Sequence, residues 1–208
     1  MSAVNSYSKM SIEEVPSLFF EFHGSDAGVK EAAEAVKSIV EDHGGGSFQW
    51  SATSEERENL WRARHNAYYA SLALRPGCRC VITDVCVPVS RLTESILNAK
   101  HILSKHDILA PLVGHVGDGN FHILLLVDPE DKEEVLLAKK ISEDIARAAI
   151  SVGGTCSGEH GIGYGKLPLL EQEHGIESLG VMHAIKKAID PHSLFNPGKM
   201  GSQFWGVN

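Results

Sequence analysis

The sequence lacks several features that would assign it to a special class of protein. Its longest apolar run, Phe121–Val127, is far shorter than the roughly 20 residues that a membrane-spanning helix needs. Lysine and arginine form no cluster, and the net charge of −8 disfavours a nucleic-acid partner. The four cysteines form no C-x-x-C pair and no small disulfide framework, so we predict reduced thiols. The 208 residues, 43% of them hydrophobic, can bury a sizeable core.

The order of apolar runs and turn residues predicts an α+β fold. Residues 79–157 have the pattern strand, helix, strand, strand, helix, strand, which is typical of a ferredoxin-like, or split βαβ, unit. Residues 18–22 and 48–51 have the composition of two further strands, with a helix over 25–43 between them. A capping box at 53–56 predicts the start of another helix. We therefore predict a mainly antiparallel sheet with helices packed on one face.

One stretch of the predicted sheet, GHVGDGNFH at 114–122, carries two histidines on either side of a turn. Asp118 and Gly119 are typical of a two-residue hairpin loop. Such a loop pairs His115 with His122 on one face of the sheet, where two imidazoles can share a metal ion. The alternative is an ordinary cross-strand pair of histidines on a half-buried sheet.

A glycine-rich segment, GEHGIGYGK at 158–166, carries further candidate side chains. It is not a phosphate-binding loop, because leucine follows its lysine where that loop requires serine or threonine. The segment instead presents Glu159 and His160 on a flexible turn. Glu159 can complete a three-ligand metal site with His115 and His122, which leaves His160 free as a base. The alternative is a turn in which Glu159 is a cap and His160 is exposed to solvent.

Four motifs together carry a resemblance to a known family. The motifs TDVCVP, GHVGDGNFH, GTCSGEHGIGYGK and DPHSLFNPGKM resemble the C-terminal domain of FAD-linked 2-hydroxy-acid dehydrogenases, and in particular the mitochondrial, cytochrome-linked D-lactate dehydrogenases. The resemblance extends from FFEFHG to NPGK and implies a flavoenzyme of the vanillyl-alcohol-oxidase type. In such an enzyme a larger N-terminal domain binds most of the FAD, and this domain covers the flavin and forms the substrate pocket. Oxidation of D-lactate to pyruvate, a mitochondrial location and cytochrome c as electron acceptor are further implications.

The resemblance also implies roles for individual residues. His115, His122 and Glu159 fall on the family's metal ligands, with zinc or manganese as the ion. His160 falls on the histidine beside the substrate, which would act as the general base. Arg64 falls on an arginine that holds the substrate carboxylate, a role suited to a guanidinium group.

The domain organisation follows from the same resemblance. Residues 1–208 correspond to one substrate- and metal-binding domain, in which 1–16 form a partly ordered leader. Residues 191–208 form a C-terminal extension toward the flavin domain, and Asn196 in this extension is the candidate cofactor contact. We expect the N-terminal FAD-binding domain to be absent, and therefore expect the isolated chain to hold FAD weakly or not at all and to be inactive.

Two positions depart from relatives that act on dicarboxylic 2-hydroxy acids. Those relatives have a lysine and an asparagine where this sequence has Ile82 and Leu124. The loss of a cation where a second carboxylate would bind favours a monocarboxylate such as D-lactate. Two other functions remain open at this point: a metallohydrolase using two histidines and a glutamate, and a non-catalytic metal-binding fragment. The first of these lacks the H-E-x-x-H helix of common metalloproteases.

Overall fold

A computed structural model describes residues 1–46, 48–51 and 53–199 of the chain, which divides into two compact units, Met1–Leu74 and Arg75–Asn208. The described helices are α1 (Ser2–Ser8), α2 (Asp26–Asp42), α3 (Ser54–His65), α4 (Ala67–Leu72), α5 (Leu92–Leu103), α6 (Lys132–Ser151) and α7 (Leu167–Ile189). The described strands are β1 (Arg79–Ile82), β2 (Val85–Cys86), β3 (Leu112–His115) and β4 (Asn120–Val127). Within these ranges, no helix combines the length and the apolar composition needed to cross a membrane.

Two helices of the first unit, α2 and α3, begin where the sequence predicts them. Ser25 caps α2, because its hydroxyl oxygen accepts a hydrogen bond from the Gly28 backbone N–H. The predicted capping box opens α3: the Thr53 hydroxyl oxygen accepts from Glu56 N, and the Glu56 carboxylate accepts from Thr53 N. Local side-chain chemistry therefore sets both helix starts.

The two strands predicted for this unit are absent from the described residues, and that prediction is wrong. Residues 18–22 and 48–51 have no regular secondary structure and form no β-ladder. They are neighbours, since the rings of Phe22 and Trp50 lie 6.3 Å apart between centroids, but their backbones make no strand pairing. A pair of short strands without a third neighbour is only marginally stable in water, so an apolar run alone does not make a strand.

The sheet of the second unit has the predicted antiparallel, ferredoxin-like order. β1 and β2 pair one after the other with one side of β4, and β3 pairs with its other side. Next to β2, the predicted fourth strand is reduced to a single antiparallel bridge between Thr155 and Cys86. The spatial order is therefore Thr155, then β1–β2, then β4, then β3, which is the arrangement of the split βαβ unit.

The side chains of the central strand β4 alternate between the two faces of the sheet. All eight of its residues are buried. One face packs against α5 and α6 in a common core, which confirms the prediction of helices on one face; its β4 residues are Phe121, Ile123, Leu125 and Val127. The residues that alternate with them point to the opposite face; they are Asn120, His122, Leu124 and Leu126.

The hairpin register differs from the predicted one by two residues. His115 pairs with Asn120 rather than with His122, because the chain turns through a 3-10 helix at Val116–Asp118. Gly119 ends this turn with φ of 76°, a conformation that glycine adopts readily. A one-residue slip would exchange the two faces, but a two-residue slip preserves them. The two histidines therefore still share a face, as diagonal rather than direct neighbours.

The C-terminal helix is longer than predicted. The sequence predicts a helix around 176–189, whereas α7 begins at Leu167 and is interrupted at Gly175, which has φ of 78° and ψ of 160°. Leu167 and Leu170, before the interruption, pack with Leu179, after it, in a small core cluster. All four cysteines are free thiols, as predicted.

Candidate metal centre

The two predicted metal-binding histidines lie together on one face of the sheet. His122 projects from β4 and only 7% of its side chain is exposed, whereas the side chain of His115 at the end of β3 is 51% exposed. Their ring centroids are 6.0 Å apart and the ring planes are nearly perpendicular, at 84°. The pair thus has one buried member and one member that faces solvent.

The carboxylate of Glu159 lies between these histidines. Its Oε1 is 2.9 Å from His122 Nε2 and 3.5 Å from His115 Nε2. The three predicted metal ligands therefore converge on a small volume, although they come from β3, β4 and a loop 37 residues beyond His122 in the sequence. The Glu159 side chain therefore faces the histidines, which contradicts the alternative in which it caps its own turn.

The other ring nitrogen of His122 has a fixed partner. Nδ1 lies 3.2 Å from the backbone carbonyl oxygen of Thr83. When Nδ1–H donates to that carbonyl, the lone pair of Nε2 is directed toward Glu159. Metal-bound histidines usually donate their other ring N–H to a carbonyl or carboxylate in this way. The Thr83 carbonyl is available because the β-ladder with β4 is interrupted at Thr83 and Asp84, between β1 and β2.

A fully buried aspartate beneath the site was missed by the sequence reasoning. Asp84 Oδ1 accepts from the Asn120 side-chain amide at 3.0 Å. Its Oδ2 accepts from the Ser157 hydroxyl at 3.0 Å and from the backbone N–H groups of Glu159 at 3.0 Å and His160 at 2.8 Å. A charged residue within the apolar run RCVITDVCVP was the available signal, because aspartate is rarely buried without partners.

The surroundings of Asp84 keep it ionised. Burial alone would raise the pKa of its carboxyl group, but hydrogen bonds from His160 N, the Asn120 amide and Glu159 N outweigh that effect. The ammonium group of Lys166, 3.4 Å from Oδ2, acts in the same direction. The result is a pKa well below the ordinary value for aspartate. The buried carboxylate is therefore an anion with a full set of donors.

The donors of this site fit a divalent metal. Ligand atoms of Asp84, His122, Glu159 and His160 all lie within 4.8 Å of one another. Asp84 already accepts from five donors, close to the capacity of two carboxylate oxygens, so it is the member of this group least suited to bind an ion. The imidazoles of His122 and His160 and the Glu159 carboxylate remain in this group. The predicted ligand His115 is not a member of it, but its Nε2 lies 3.5 Å from Glu159 Oε1. A mixed set of nitrogen and oxygen ligands suits zinc and manganese alike.

The predicted general base, His160, lies next to the candidate metal ligands. The His160 ring stacks on that of His122, with centroids 4.9 Å apart and planes inclined by 10°. Its Nε2 is 3.9 Å from Glu159 Oε1, and its side chain is 45% exposed. His160 is therefore adjacent to the candidate metal ligands and open to a small molecule from solvent.

The two remaining predicted residues lie elsewhere in the chain. Arg64 is half-buried on α3 in the first unit, and its role toward substrate stays a prediction. Asn196 is exposed in a turn with φ of 46°, where its side-chain oxygen accepts from Lys199 Nζ at 3.3 Å. The Tyr164 hydroxyl donates to the carbonyl of Pro197, so the glycine-rich loop and the segment of Asn196 are in contact. Of the predicted extension, residues 200–208 lie outside the described part of the chain.

Known proteins resemble this chain over most of its length. The "Probable D-lactate dehydrogenase, mitochondrial" of Danio rerio is 46% identical over 200 residues, which cover 96% of this chain and 40% of that protein. The "D-lactate dehydrogenase (cytochrome), mitochondrial" of Arabidopsis thaliana is 40% identical over 198 residues, with 95% and 35% covered. The chain thus spans 40% or less of the length of these relatives.

A solved structure supports the fold, and a family comparison supports the resemblance drawn from the four motifs. The 4-ethylphenol oxidase from Gulosibacter chungangensis matches with a TM-score of 0.62 at 18% identity, over 86% of this chain and 38% of that one. The family described as FAD linked oxidases, C-terminal domain, matches residues 1–200. The chain therefore belongs to the FAD-linked oxidase C-terminal domain family, whose members work with FAD.

Proposed function

We propose that this chain is the substrate- and metal-binding part of an FAD-dependent D-2-hydroxy-acid dehydrogenase that oxidises D-lactate to pyruvate. The observation that carries the proposal is the convergence of His115, His122 and Glu159, with His160 beside them. The names of the relatives from Danio rerio and Arabidopsis thaliana support D-lactate as substrate and a mitochondrial location. The name of the second supports a cytochrome as electron acceptor.

In this proposal the residues of the chain divide the work between them. His115, His122 and Glu159 hold zinc or manganese, and His160 takes the proton of the substrate hydroxyl as general base. Arg64 binds the substrate carboxylate. The metal supplies Lewis-acid activation of the hydroxyl, and FAD supplies the acceptor for the hydride. Asn196 belongs to the segment that contacts the flavin.

The residues next to His122 support a monocarboxylate substrate. Leu124 lies two residues further along β4 on the same face as His122, and it pairs directly with Ile82 of β1. Two aliphatic side chains therefore stand side by side next to the metal-binding face. They offer no charge or hydrogen bond to a second carboxylate, and removing a carboxylate from water without such a partner is costly.

Replacement of one metal-binding histidine in the full-length protein tests the proposal. We expect His115→Ala to abolish D-lactate turnover and to remove one equivalent of bound metal while FAD content stays normal. His101→Ala, at an exposed position on α5, is the matched control and retains activity and metal. Normal turnover by His115→Ala, or by protein that contains no metal, would refute the assigned site.

A further inference from the structure

Asp84 is bonded to both elements that carry the metal-binding side chains. On one side it accepts hydrogen bonds from the peptide N–H groups of Glu159 and His160. On the other side it accepts from the side-chain amide of Asn120, which is the cross-strand partner of His115 and lies two residues before His122. One buried carboxylate thus connects the loop of Glu159 with the hairpin of the two histidines.

The orientation of these bonds separates Asp84 from the metal-binding atoms. Its Oδ1 is 3.6 Å from Nδ1 of His122, the nitrogen that faces the Thr83 carbonyl. The metal-binding nitrogen of the same ring, Nε2, faces Glu159 at 2.9 Å. Asp84 therefore lies behind the ligands, where it can orient them without binding the ion.

Gly158 and Asn120 pack closely around this carboxylate. Gly158 lies against Asp84 and Asn120, and a methyl group there would collide with the Asn120 amide nitrogen and lie 3.1 Å from Asp84 Oδ1. The Asn120 amide is also held from behind, because it donates to the Val85 carbonyl at 2.9 Å. The ammonium group of Lys166 lies 3.4 Å from Asp84 Oδ2 and compensates its charge.

We propose that Asp84 is a positioning residue that sets the geometry of the metal site by anchoring the Glu159–His160 backbone to the histidine hairpin. The inference rests on the proposed metal site at His115, His122 and Glu159. It assigns a function to the buried charge: the two peptide N–H groups turn toward Asp84, so the Glu159 carboxylate projects in the opposite direction, toward the histidines. An asparagine at this position keeps the size but has one acceptor oxygen instead of two, so it cannot accept both the Asn120 amide and the two peptide N–H groups.

Metal binding by Asp84→Asn tests this assignment. Zinc, and separately manganese, is titrated into the metal-free full chain, and the affinity is measured by competition with a chelating indicator. We expect Asp84→Asn to bind one equivalent with an affinity about 10- to 100-fold lower, the range found when a supporting partner of a ligand is removed. The visible spectrum of bound cobalt should retain the wild-type band positions, because the ligand set is unchanged.

Glu173→Gln is the matched control. The Glu173 carboxylate is also largely buried and accepts from Cys156 N at 2.9 Å, so it anchors the same segment upstream of the ligand. We expect Glu173→Gln to lower stability but to leave the affinity for zinc within about 3-fold of wild type, well inside the shift assigned to Asp84. Equal losses of affinity in both variants would reduce Asp84 to a general structural role and overturn the proposal.

Two further variants distinguish the remaining outcomes. His115→Ala reports on the site itself: if it binds zinc like wild type, the proposed metal site fails. If His115→Ala loses zinc while Asp84→Asn binds normally, the site stands and the role of Asp84 is refuted. Complete loss of zinc by Asp84→Asn at millimolar metal would make Asp84 a ligand, which also overturns the proposal. If Asp84→Asn does not fold, Gly158→Ala displaces the same contact and must weaken zinc binding.

Discussion

Thr83 completes the sheet at the point where the ladder breaks. Its hydroxyl oxygen accepts a hydrogen bond from the backbone N–H of Ile123 at 2.8 Å, while its own N–H donates to the Ile123 carbonyl at 3.0 Å. The residue is 1% exposed, so no water can replace the hydroxyl without a rearrangement. Thr83→Val keeps the shape of the side chain and removes this single acceptor.

The expected cost follows from the group that loses its partner. A buried N–H without an acceptor costs about 1–3 kcal/mol, so Thr83→Val should lower the free energy of unfolding by about 2 kcal/mol. This is about a 30-fold change in the folding equilibrium constant. Because the Thr83 backbone carbonyl is retained, the contact with His122 Nδ1 should persist and the affinity for zinc should stay near that of wild type.

Urea denaturation followed by far-ultraviolet circular dichroism measures the change, and amide hydrogen exchange at Ile123 locates it. Thr83→Ser is the control, since it restores the hydroxyl and loses only a methyl group, which costs about 1 kcal/mol. A Thr83→Val variant as stable as wild type, with a protected Ile123 amide, would refute the assigned hydrogen bond. Equal destabilisation by Val and Ser would show that the site needs the whole threonine side chain and that the hydroxyl has no special role.

Three further perturbations test other parts of the structure. Hydrogen bonding to Lys186 lowers the pKa of Asp190 from 3.8 to about 2. The carboxylate therefore stabilises the fold above about pH 4, and this contribution is lost as the pH falls to 2. When the free energy of unfolding is measured between pH 4 and pH 2, Asp190→Asn should show a smaller pH dependence than the wild type. Burial raises the pKa of the Cys156 thiol to about 12, so mass spectrometry after iodoacetamide at pH 8 should find it unmodified in native protein and alkylated in urea. Gly119→Ala should lower the free energy of unfolding by about 1–3 kcal/mol, measured by urea denaturation, because φ is 76° and the added methyl group meets the Val87 carbonyl.

The sequence by itself determined the class of fold and the family. The order of strands and helices over 79–157 has a strong local signal, because apolar alternation and turn residues are properties of neighbouring positions. The capping box at 53–56 is equally local, and the structure confirms it. The four motifs added the family, which the comparisons confirm over residues 1–200.

Predictions that depended on a partner distant in the sequence were less successful. Residues 18–22 have the composition of a strand but make no β-ladder, because a strand exists only where another strand supplies its hydrogen bonds. The pairing of His115 with His122 assumed a tight two-residue turn, and the chain instead uses a 3-10 turn before Gly119. The histidines still meet, since a shift of two residues leaves the faces of the strands unchanged.

The candidate site shows the same division between local and tertiary information. His115, His122 and Glu159 were identified from their residue types and motifs, but their distances from one another exist only in the folded chain. Asp84 looked like one polar residue in a strand, and only the tertiary structure decided that five donors from distant segments surround it. The physical reason is that a buried charge is stable only with partners, and the fold alone determines which donors reach it.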